Sequence, residues 1–254
     1  MNELFSLEGR VALVTGGSRG IGKMIAAGFL RYGAKVYISS RNSTKCAAAA
    51  AELSAYGTCV SIPADVSTTD GARSLAAALG EREQKLDVLV NNAGASWAET
   101  FETFPESGWD KVMNLNIKSP FFLTQFMHPM LLAAAASRTA KVINIASIDG
   151  LSVNPLDLYS YTASKAGLIH LTRRLALQLI KDNIAVSCIA PGAFATDMNR
   201  EARDHPDKLA GQIPAGRIGR ADDIAAAAIY LSSRGGDYIV GETLVVDGGW
   251  SHSR

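Results

Sequence analysis

The sequence predicts an α/β fold: a doubly wound parallel sheet of seven strands with helices on both faces. Short apolar runs alternate with longer amphipathic segments along the chain, which is the order expected of repeated β-α-β units. The first apolar run is followed by a glycine-rich turn and then by a helical segment. Because crossovers between parallel strands are right-handed, these units build a Rossmann-type sheet. We therefore expect one domain over residues 1–254.

The elements follow from these patterns in order. The strand candidates are short and aliphatic: Val11–Val14, Lys35–Ser39, Cys59–Pro63, Val88–Val90, Val142–Ala146, Ile184–Ala190 and Leu244–Val246. The helix candidates lie between them and combine apolar with polar residues: Gly20–Tyr32, Lys45–Ala55, Thr69–Glu83, Trp109–Ala136, Ser160–Lys181 and Ala221–Ser232. Alanine runs inside several of them favour helix rather than disorder.

One segment has no clean period. Residues Ala193–Arg220 contain two prolines and many polar residues. In a compact domain, a long stretch of this kind is often a binding loop or a lid. We expect a substrate lid at about 193–220.

Composition excludes several classes of protein. With 48% hydrophobic and 19% charged residues, the chain is not disordered, and its net charge of +1 gives no footprint for nucleic acid or an anionic membrane. Cys46, Cys59 and Cys188 are too scattered for a disulfide framework or a zinc site, so no metal is expected. No run of 18 apolar residues and no signal-peptide pattern is present, which predicts a cytoplasmic protein.

A glycine-rich turn, Thr15–Gly22, joins the first strand to the first helix. In this context Gly16 permits the sharp turn, Gly20 lets the backbone approach a pyrophosphate, and Gly22 permits close helix packing. Backbone amides at the start of the helix then face the anion. The turn therefore predicts a dinucleotide site.

A tyrosine and a lysine on one helix form a candidate proton-transfer pair. Tyr161 and Lys165 are four residues apart, so their side chains share a helix face. A phenol has a reference pKa of about 10, and a nearby ammonium lowers that pKa by stabilising the phenolate. Tyr159 is not equivalent, because Ala163 stands four residues after it.

Further motifs follow in a consistent order along the chain: Asp65-Val66, Asn91–Gly94, Asn116, Ser147, Tyr161–Lys165 and Pro191-Gly192, with Thr196 beyond. With the glycine turn they resemble the short-chain dehydrogenase/reductase family over the whole chain. Within that family the chain is similar to the NADPH-dependent 3-oxoacyl reductases, on the segments Phe5–Leu7, Leu53–Gly57 and Ala95–Trp97.

The resemblance implies a role for each of four residues. Tyr161 is the general acid in carbonyl reduction and the base in alcohol oxidation, and Lys165 lowers its pKa and binds the nicotinamide ribose. Ser147 donates a hydrogen bond to the substrate oxygen, and Asn116 holds a water that connects Lys165 to solvent. From the residues alone, Ser147 could also be a turn cap and Asn116 an ordinary helix-surface amide. The Ser147–Tyr161 spacing predicts a loop at 150–158 one residue longer than is frequent in the family.

The residues after the second strand bear on the choice of cofactor. An acidic residue there binds the 2′-hydroxyl of NAD, but this strand is followed by Ser40 and Arg41. Arg19 and Arg41 suit a 2′-phosphate, which favours NADP(H), although both could be solvated loop charges. The resemblance further implies that Asp65 binds the adenine amine, that Asn92 shapes the ribose side, and that Thr196 reaches the carboxamide or pyrophosphate. The full set predicted to bind the cofactor is Gly16, Ser18, Arg19, Gly20, Ile21, Gly22, Ser40, Arg41, Asp65, Val66, Asn92, Ala93, Gly94, Tyr161, Lys165, Pro191, Gly192 and Thr196.

The residues expected to contact substrate are Ser147 and Tyr161 at the reacting end, with Trp97, Leu151 and Phe194 on the wall. Nearby Val153, Leu158 and Met198 are also apolar. Apolar walls suit an acyl chain or a hydrophobic ketone, although these side chains could simply pack the lid. The predicted activity is reduction of a 3-oxoacyl thioester.

Two alternatives to this activity stay open, as do the partners. A sugar or polyol dehydrogenase is the second enzymatic hypothesis. A catalytically silent NADP(H) sensor or scaffold is the third, against which the intact Ser147, Tyr161 and Lys165 count. A carrier-protein substrate needs a basic rim, for which Arg138 and Lys181 are available, but Asp182 adjoins Lys181 and leaves that partner doubtful. The long helices and the family resemblance predict a homotetramer.

Overall fold

The computed structural model describes residues 3–253 and contains the predicted sheet. Its seven strands, all parallel, are β1 (Val11–Thr15), β2 (Lys35–Ser39), β3 (Cys59–Ser61), β4 (Val88–Asn91), β5 (Ala140–Ile145), β6 (Ile184–Pro191) and β7 (Thr243–Val246). The order across the sheet is β3-β2-β1-β4-β5-β6-β7. The direction of winding reverses beside β1, so a crevice forms where the strands on its two sides end.

The helices cover both faces. They are α1 (Gly20–Arg31), α2 (Ser43–Leu53), α3 (Thr69–Gly80), α4 (Glu106–Met113), α5 (Ser119–Ala135), α6 (Tyr159–Leu179), α7 (Arg200–Asp204), α8 (Pro206–Ala210) and α9 (Ala221–Ser232). Asn42 and Thr68 start α2 and α3 by accepting backbone amide protons, as good N-caps do. None of the helices within residues 3–253 is long and apolar enough to cross a bilayer.

Two apolar cores lie on opposite faces of the sheet. Alternation along β1 sends Ala12 and Val14 to the core beneath α1 and α9, and Val11 and Leu13 to the core beneath α3 and α5. Every residue of β1 is buried, as expected of a central strand in a parallel sheet. The two cores hold both layers of helices against the sheet, so strand ends have fixed positions in the crevice.

One predicted helix is interrupted. The segment Trp109–Ala136 forms α4, a π-helical turn at Asn114–Lys118, and α5. A continuous α-helix would require the amide of Pro120 to bond the carbonyl of Asn116, and proline has no amide proton. The π turn accommodates the missing hydrogen bond, and Asn116 within it is buried, with 1% of its surface exposed.

The segment predicted as a lid contains two short helices, α7 and α8. Ala202, Leu209 and Ile213 form a small buried cluster against Trp250, and a bridge between Phe194 and Gly219 closes the base of the segment. The segment therefore has its own small core, separate from the two main ones.

The cations considered for a carrier-protein rim lie at the amino-terminal ends of the strands, on the side of the sheet away from the crevice. Arg138 and Lys181 precede β5 and β6, so both belong to the edge where the parallel strands begin. Arg138 pairs there with the buried Asp87 at 3.5 Å. The crevice opens at the opposite edge, so within one chain these two residues do not form a rim around it.

Candidate active site

Three predicted catalytic residues come together at the end of β5. Ser147 follows that strand, and Tyr161 and Lys165 lie in the first two turns of α6. Gly150 permits the contact between the two segments, because a Cβ there would lie 2.7 Å from the carbonyl carbon of Lys165. The Ser147 hydroxyl lies close enough to Tyr161 to lower the pKa of its phenol.

The Ser147 hydroxyl has a second partner. Its Oγ accepts a hydrogen bond from the backbone amide of Asp149 at 3.1 Å and donates one to Asp149 Oδ2 at 3.3 Å. Ser147 thus caps the short 3-10 turn Ile148–Gly150, which was the alternative interpretation of this residue. The same hydroxyl also belongs to the reactive cluster, so the two interpretations are compatible.

The charges of Tyr161 and Lys165 are set mainly by burial. Burial raises the pKa of Tyr161 to about 12, against a lowering by the hydrogen bond from Ser147, and Asp149 raises it further. Burial also lowers the pKa of Lys165 to about 8. Lys165 Nζ donates to the Ile145 carbonyl at 2.7 Å and lies 5.6 Å from the centroid of the Tyr161 ring. In this structure burial is the largest influence on the pKa of Tyr161, and the lowering by Lys165 that the resemblance implies stays a prediction.

Asn116 lies between a loop and the catalytic helix. Its Oδ1 accepts from the Ala95 amide at 2.9 Å, and its Nδ2 donates to the Ala95 carbonyl at 2.9 Å and to Ser164 Oγ at 3.0 Å. A Cβ at Gly94 would lie 3.4 Å from Asn116 Oδ1 and 3.8 Å from Lys165 Nζ, so Gly94 separates the two. The Asn116 side chain thus connects the loop after β4 to α6 and is not a surface amide. Its amide protons are bonded to Ala95 and Ser164, so they do not bind the predicted water.

The glycine turn has the predicted geometry. Gly16 and Gly20 have positive φ values of 65° and 55°, which glycine adopts without strain. A Cβ at Gly22 would lie 2.4 Å from Asn92 Nδ2 and 2.5 Å from the Gly16 carbonyl oxygen. Asn92 Nδ2 donates to the Thr15 carbonyl at 2.8 Å, so Asn92 supports the turn itself.

Sequence reasoning missed the need for a further glycine. A Cβ at Gly17 would lie 2.7 Å from Ile38 Cγ2, and the Gly17 amide donates to the Ser39 carbonyl at 3.3 Å. The turn therefore rests on the end of β2. At the start of α1, Arg19 occupies the N-cap position without a side-chain cap, and no acidic residue is present in the first turn of this helix. These first amides suit the pyrophosphate of a dinucleotide.

The candidate 2′-phosphate contacts lie beside this turn. Because Thr15 and Ser39 are register partners in β1 and β2, the segments that follow them are neighbours. Arg41 is exposed there. Arg19 instead pairs with Asp197 of the lid segment at 2.8 Å, with its side chain 71% exposed, and Arg203 holds the other oxygen of Asp197 at 2.9 Å. Asp197 would therefore compete with a 2′-phosphate for the guanidinium of Arg19.

Other predicted cofactor residues occupy supporting positions. Asp65 is exposed, and its Oδ1 accepts from the amide and the hydroxyl of Ser67, while Val66 is buried in the core. The Ala93 amide donates to Thr15 Oγ1 at 3.0 Å. Thr196 Cγ2 would lie 3.3 Å from a Cβ at Gly20, which places this lid residue against the turn. The remaining members lie on the turn or at the end of β6: Ser18, Ile21, Pro191 and Gly192.

The expected apolar wall is only partly open. Phe194 is 2% exposed, and its ring meets Gly219, where a Cβ would lie 2.4 Å away. It supports the base of the lid rather than an open wall, which corrects the sequence expectation. The Trp97 ring packs on Gly108, with Lys111 Nζ at 5.0 Å from its centroid. The open apolar side chains are Leu151, Val153 and Met198, which are 46%, 91% and 51% exposed.

Asp149 was absent from the predicted site. Its signal in the sequence is a carboxylate two positions after Ser147 in an otherwise apolar segment. Across residues 3–253 no group of histidine, cysteine or acidic side chains could hold a metal ion.

Comparison with known proteins places this geometry in context. A family model described as Enoyl-(Acyl carrier protein) reductase matches residues 16–251. The chain is 49% identical over 254 residues to the rhamnolipids biosynthesis 3-oxoacyl-[acyl-carrier-protein] reductase of Pseudomonas aeruginosa, covering 98% of this chain and 99% of the relative. It is also 37% identical to the 2-dehydro-3-deoxy-D-gluconate 5-dehydrogenase of Dickeya dadantii, over 97% of both chains.

Solved structures agree with the fold. The NADP active-site complex of RhlG from Pseudomonas aeruginosa has a TM-score of 0.95 at 48% identity, covering 99% of this chain and all of that one. A gluconate 5-dehydrogenase from Burkholderia cenocepacia, in complex with NADP and tartrate, has a TM-score of 0.90 at 32% identity over 98% of both chains.

The contact between Gly22 and Asn92 makes a local prediction. Gly22→Ala places a methyl group against Asn92 and the Gly16 backbone, so we expect a loss of about 1–3 kcal/mol in the free energy of unfolding and weaker dinucleotide binding. Urea denaturation and fluorescence titration with NADPH measure the two effects. Gly80→Ala is the matched control: Gly80 is the last residue of α3, with no atom within 4 Å of an added Cβ. Equal behaviour of the two variants would contradict the proposed close approach.

Proposed function

Because the chain belongs to the short-chain dehydrogenase/reductase family, we propose that it reduces a 3-oxoacyl thioester, or a related hydrophobic ketone, with NADPH. The observation that carries the proposal is the convergence of Ser147, Tyr161 and Lys165 beside the glycine turn. The 3-oxoacyl reductase relative at 49% identity supports the substrate class.

The residues of the crevice fit an NADP(H) cofactor. A Cβ at Gly16 or Gly22 would collide with Asn92, so only glycine lets the turn lie this close to the end of β4, and the first amides of α1 suit the pyrophosphate. No carboxylate follows β2 at Ser40 or Arg41, which favours a 2′-phosphate. When bound, NADPH supplies the hydride. Tyr161 and Lys165 would lie on the nicotinamide ribose side, as the family resemblance implies.

The chain itself supplies the proton and the hydrogen bonds. Tyr161 stays a neutral phenol at neutral pH, because burial raises its pKa to about 12, so it can donate a proton to the developing alkoxide. Ser147 donates a hydrogen bond to the same oxygen and stabilises its growing charge. Below about pH 8, Lys165 carries a positive charge that favours negative charge on its neighbours.

Open apolar surface favours an acyl substrate over a sugar. Leu151, Val153 and Met198 expose apolar area near the lid, and burying it against an acyl chain is worth roughly 0.8 kcal/mol per methylene. The sugar dehydrogenase hypothesis draws support from the gluconate-named relatives, which are less similar to this chain. A silent sensor would have no use for the combination of Tyr161 with a lysine of lowered pKa.

The assembly and the compartment belong to the same proposal. Phe121 and Leu132 of α5, and Leu177 of α6, are 36%, 45% and 69% exposed, and contacts between such faces favour the predicted homotetramer. Light scattering of the purified protein measures that state. The three cysteines are unpaired, which agrees with the reducing cytoplasm. A carrier-protein substrate is not part of the proposal, since Arg138 and Lys181 lie at the other edge of the sheet.

The lowered pKa of Lys165 predicts an alkaline limit. As pH rises through about 8, Lys165 loses its charge while Tyr161 keeps its proton, so kcat/KM for reduction should hold a plateau below about pH 8 and fall above it. The measurement is the pH profile at saturating NADPH. Lys165→Arg should move the limit of any residual activity to higher pH, and Lys45→Met, on the exposed side of α2, should leave it in place. A plateau extending past about pH 10 would contradict the assignment.

The cofactor contacts make a second prediction. Removing a charge-assisted bond to phosphate costs about 1.5–3 kcal/mol, so Arg41→Ala should weaken NADPH by roughly 10- to 150-fold and leave NADH nearly unchanged. Arg19→Ala should have a smaller effect, because Asp197 already competes for Arg19. Adding Ser40→Asp to Arg41→Ala should invert the preference, since the new carboxylate accepts from the 2′-hydroxyl and repels phosphate.

The measurement is the KM for each dinucleotide, with Arg82→Ala, at an exposed residue just after α3, as the control. A double variant that still prefers NADPH would place the 2′-phosphate elsewhere.

The proposed substrate class is tested with a panel. We expect kcat/KM with NADPH to rise with acyl length among 3-oxoacyl thioesters and to exceed that for ketoses and 5-ketogluconate. Tyr161→Phe keeps the ring but removes the donor, so it should bind NADPH and lose at least about 10²-fold in turnover. A preference for ketoses would support the sugar dehydrogenase hypothesis, and no turnover of any member would support the sensor.

A further inference from the structure

Asp197 connects the start of the lid to the glycine turn. Its Oδ2 accepts from Arg19 Nη1 at 2.8 Å, and its Oδ1 accepts from Arg203 Nη1 at 2.9 Å. The bond to Arg203 stays inside the lid segment, because both residues belong to it. The bond to Arg19 instead joins the lid to the residue before α1, so a new partner for Arg19 would also change how the lid is held.

The same guanidinium is a predicted contact of the 2′-phosphate. Arg19 is the N-cap of α1, the helix whose first amides suit the pyrophosphate. The lid begins beside this turn, since a Cβ at Gly20 would lie 3.3 Å from Thr196 Cγ2. The carboxylate of Asp197 and a 2′-phosphate would therefore compete for one side chain.

Arg19 has room to change partners. Its side chain is 71% exposed, and that of Asp197 is 53% exposed. Together with Arg203 they line a cavity of about 340 Å³ between α1 and the lid. Hydrogen bonds from Arg19 and Arg203 hold the pKa of Asp197 below its ordinary value, so this carboxylate is charged at neutral pH. Charge rather than packing thus decides which partner the Arg19 guanidinium takes.

The strengths of the two interactions indicate which partner prevails. An exposed ion pair changes an equilibrium by about 5-fold or less, because water screens both charges. A charge-assisted bond to phosphate changes binding by roughly 10- to 150-fold. Arg19 should therefore leave Asp197 for a 2′-phosphate, at a cost in affinity of about 5-fold or less. NADH has no phosphate at that place, so it leaves the ion pair intact.

We propose that Asp197 is a specificity-determining residue for the dinucleotide: Arg19 exchanges Asp197 for the 2′-phosphate of NADP(H), which loosens the start of the lid, whereas NAD(H) leaves the lid attached to the glycine turn. This inference rests on the proposed function, since it concerns the cofactor and the lid of the same site. The two effects are linked, because whatever the ion pair costs the phosphate is also what the phosphate removes from the attachment of the lid.

Fluorescence titration with each dinucleotide tests the exchange without turnover. Asp197→Asn keeps the shape of the side chain but removes the charge that competes for Arg19. It should lower the Kd of NADPH by about 2- to 5-fold and leave the Kd of NADH unchanged. Asp204→Asn is the matched control, because Asp204 is an exposed carboxylate of the same segment that pairs with Arg203 at 2.8 Å. It should change neither Kd.

Two further measurements make the test specific. Arg19→Ala should weaken NADPH by a factor about 2- to 5-fold larger in the Asp197→Asn background than in the wild type, because Arg19 has no competing charge there. Amide hydrogen exchange follows the lid itself. With saturating NADPH the amides of α7 should exchange faster than with saturating NADH in the wild type, and at equal rates in Asp197→Asn. Thermal melting verifies that each variant folds.

Each outcome decides for or against the exchange. If Asp197→Asn weakens NADPH, Asp197 orients Arg19 for the phosphate and the exchange is overturned. An unchanged Kd, or an equal gain in Asp204→Asn, would also overturn it, since the lost charge would then act only at long range. Equal exchange of α7 with both dinucleotides in the wild type would overturn the loosening of the lid. The proposed function fails separately, because a protein that shows the exchange but reduces no 3-oxo ester would refute only the reductase activity.

Discussion

The close approach of the ends of β1 and β4 is the constraint on which the rest of the site depends. Thr15 Oγ1 donates to the Val90 carbonyl and accepts from the amides of Asn92 and Ala93, while Asn92 Nδ2 returns a bond to the Thr15 carbonyl. These bonds leave no space for a Cβ at Gly22. This contact between Thr15 and the end of β4 therefore shapes the turn for the dinucleotide. It also fixes the position of β4, the strand next to β5 and the catalytic residues.

Buried polar groups carry that constraint across the sheet to α6. Asn91 Nδ2 donates to Asn144 Oδ1 at 2.9 Å, and Asn144 Nδ2 donates to Thr172 Oγ1 at 2.9 Å, which ties β4 and β5 to α6. Asn116 adds a second connection, between the loop after β4 and Ser164. Unpaired polar groups at these depths would cost about 1–3 kcal/mol each, so the network specifies one position for the catalytic helix.

The sequence contained enough information for the sheet but not for every side chain. Strand alternation and the glycine turn predicted all seven strands, because apolar period and turn chemistry act locally. The interruption at Asn114–Lys118 depends on Pro120 and on burial of Asn116 together, and the burial of Phe194 depends on a bridge to Gly219. The pKa of Tyr161 depends on how deeply the fold buries it. Such tertiary effects leave no periodic signal in the sequence.

The protonation state of Tyr161 in this structure suits the proton donor of a reduction. Oxidation of an alcohol requires a phenolate at Tyr161, whereas reduction requires the phenol, and burial together with Asp149 favours the phenol. The Ser147 hydroxyl has one proton, for which Asp149 Oδ2 at 3.3 Å and the Tyr161 oxygen compete when no substrate oxygen is bound. A substrate oxygen takes that bond over most effectively once it carries the negative charge of the transition state, because charge-assisted hydrogen bonds are the stronger ones. The bond to Ser147 is thus strongest where hydride transfer needs it, and weak for the uncharged carbonyl of the ground state.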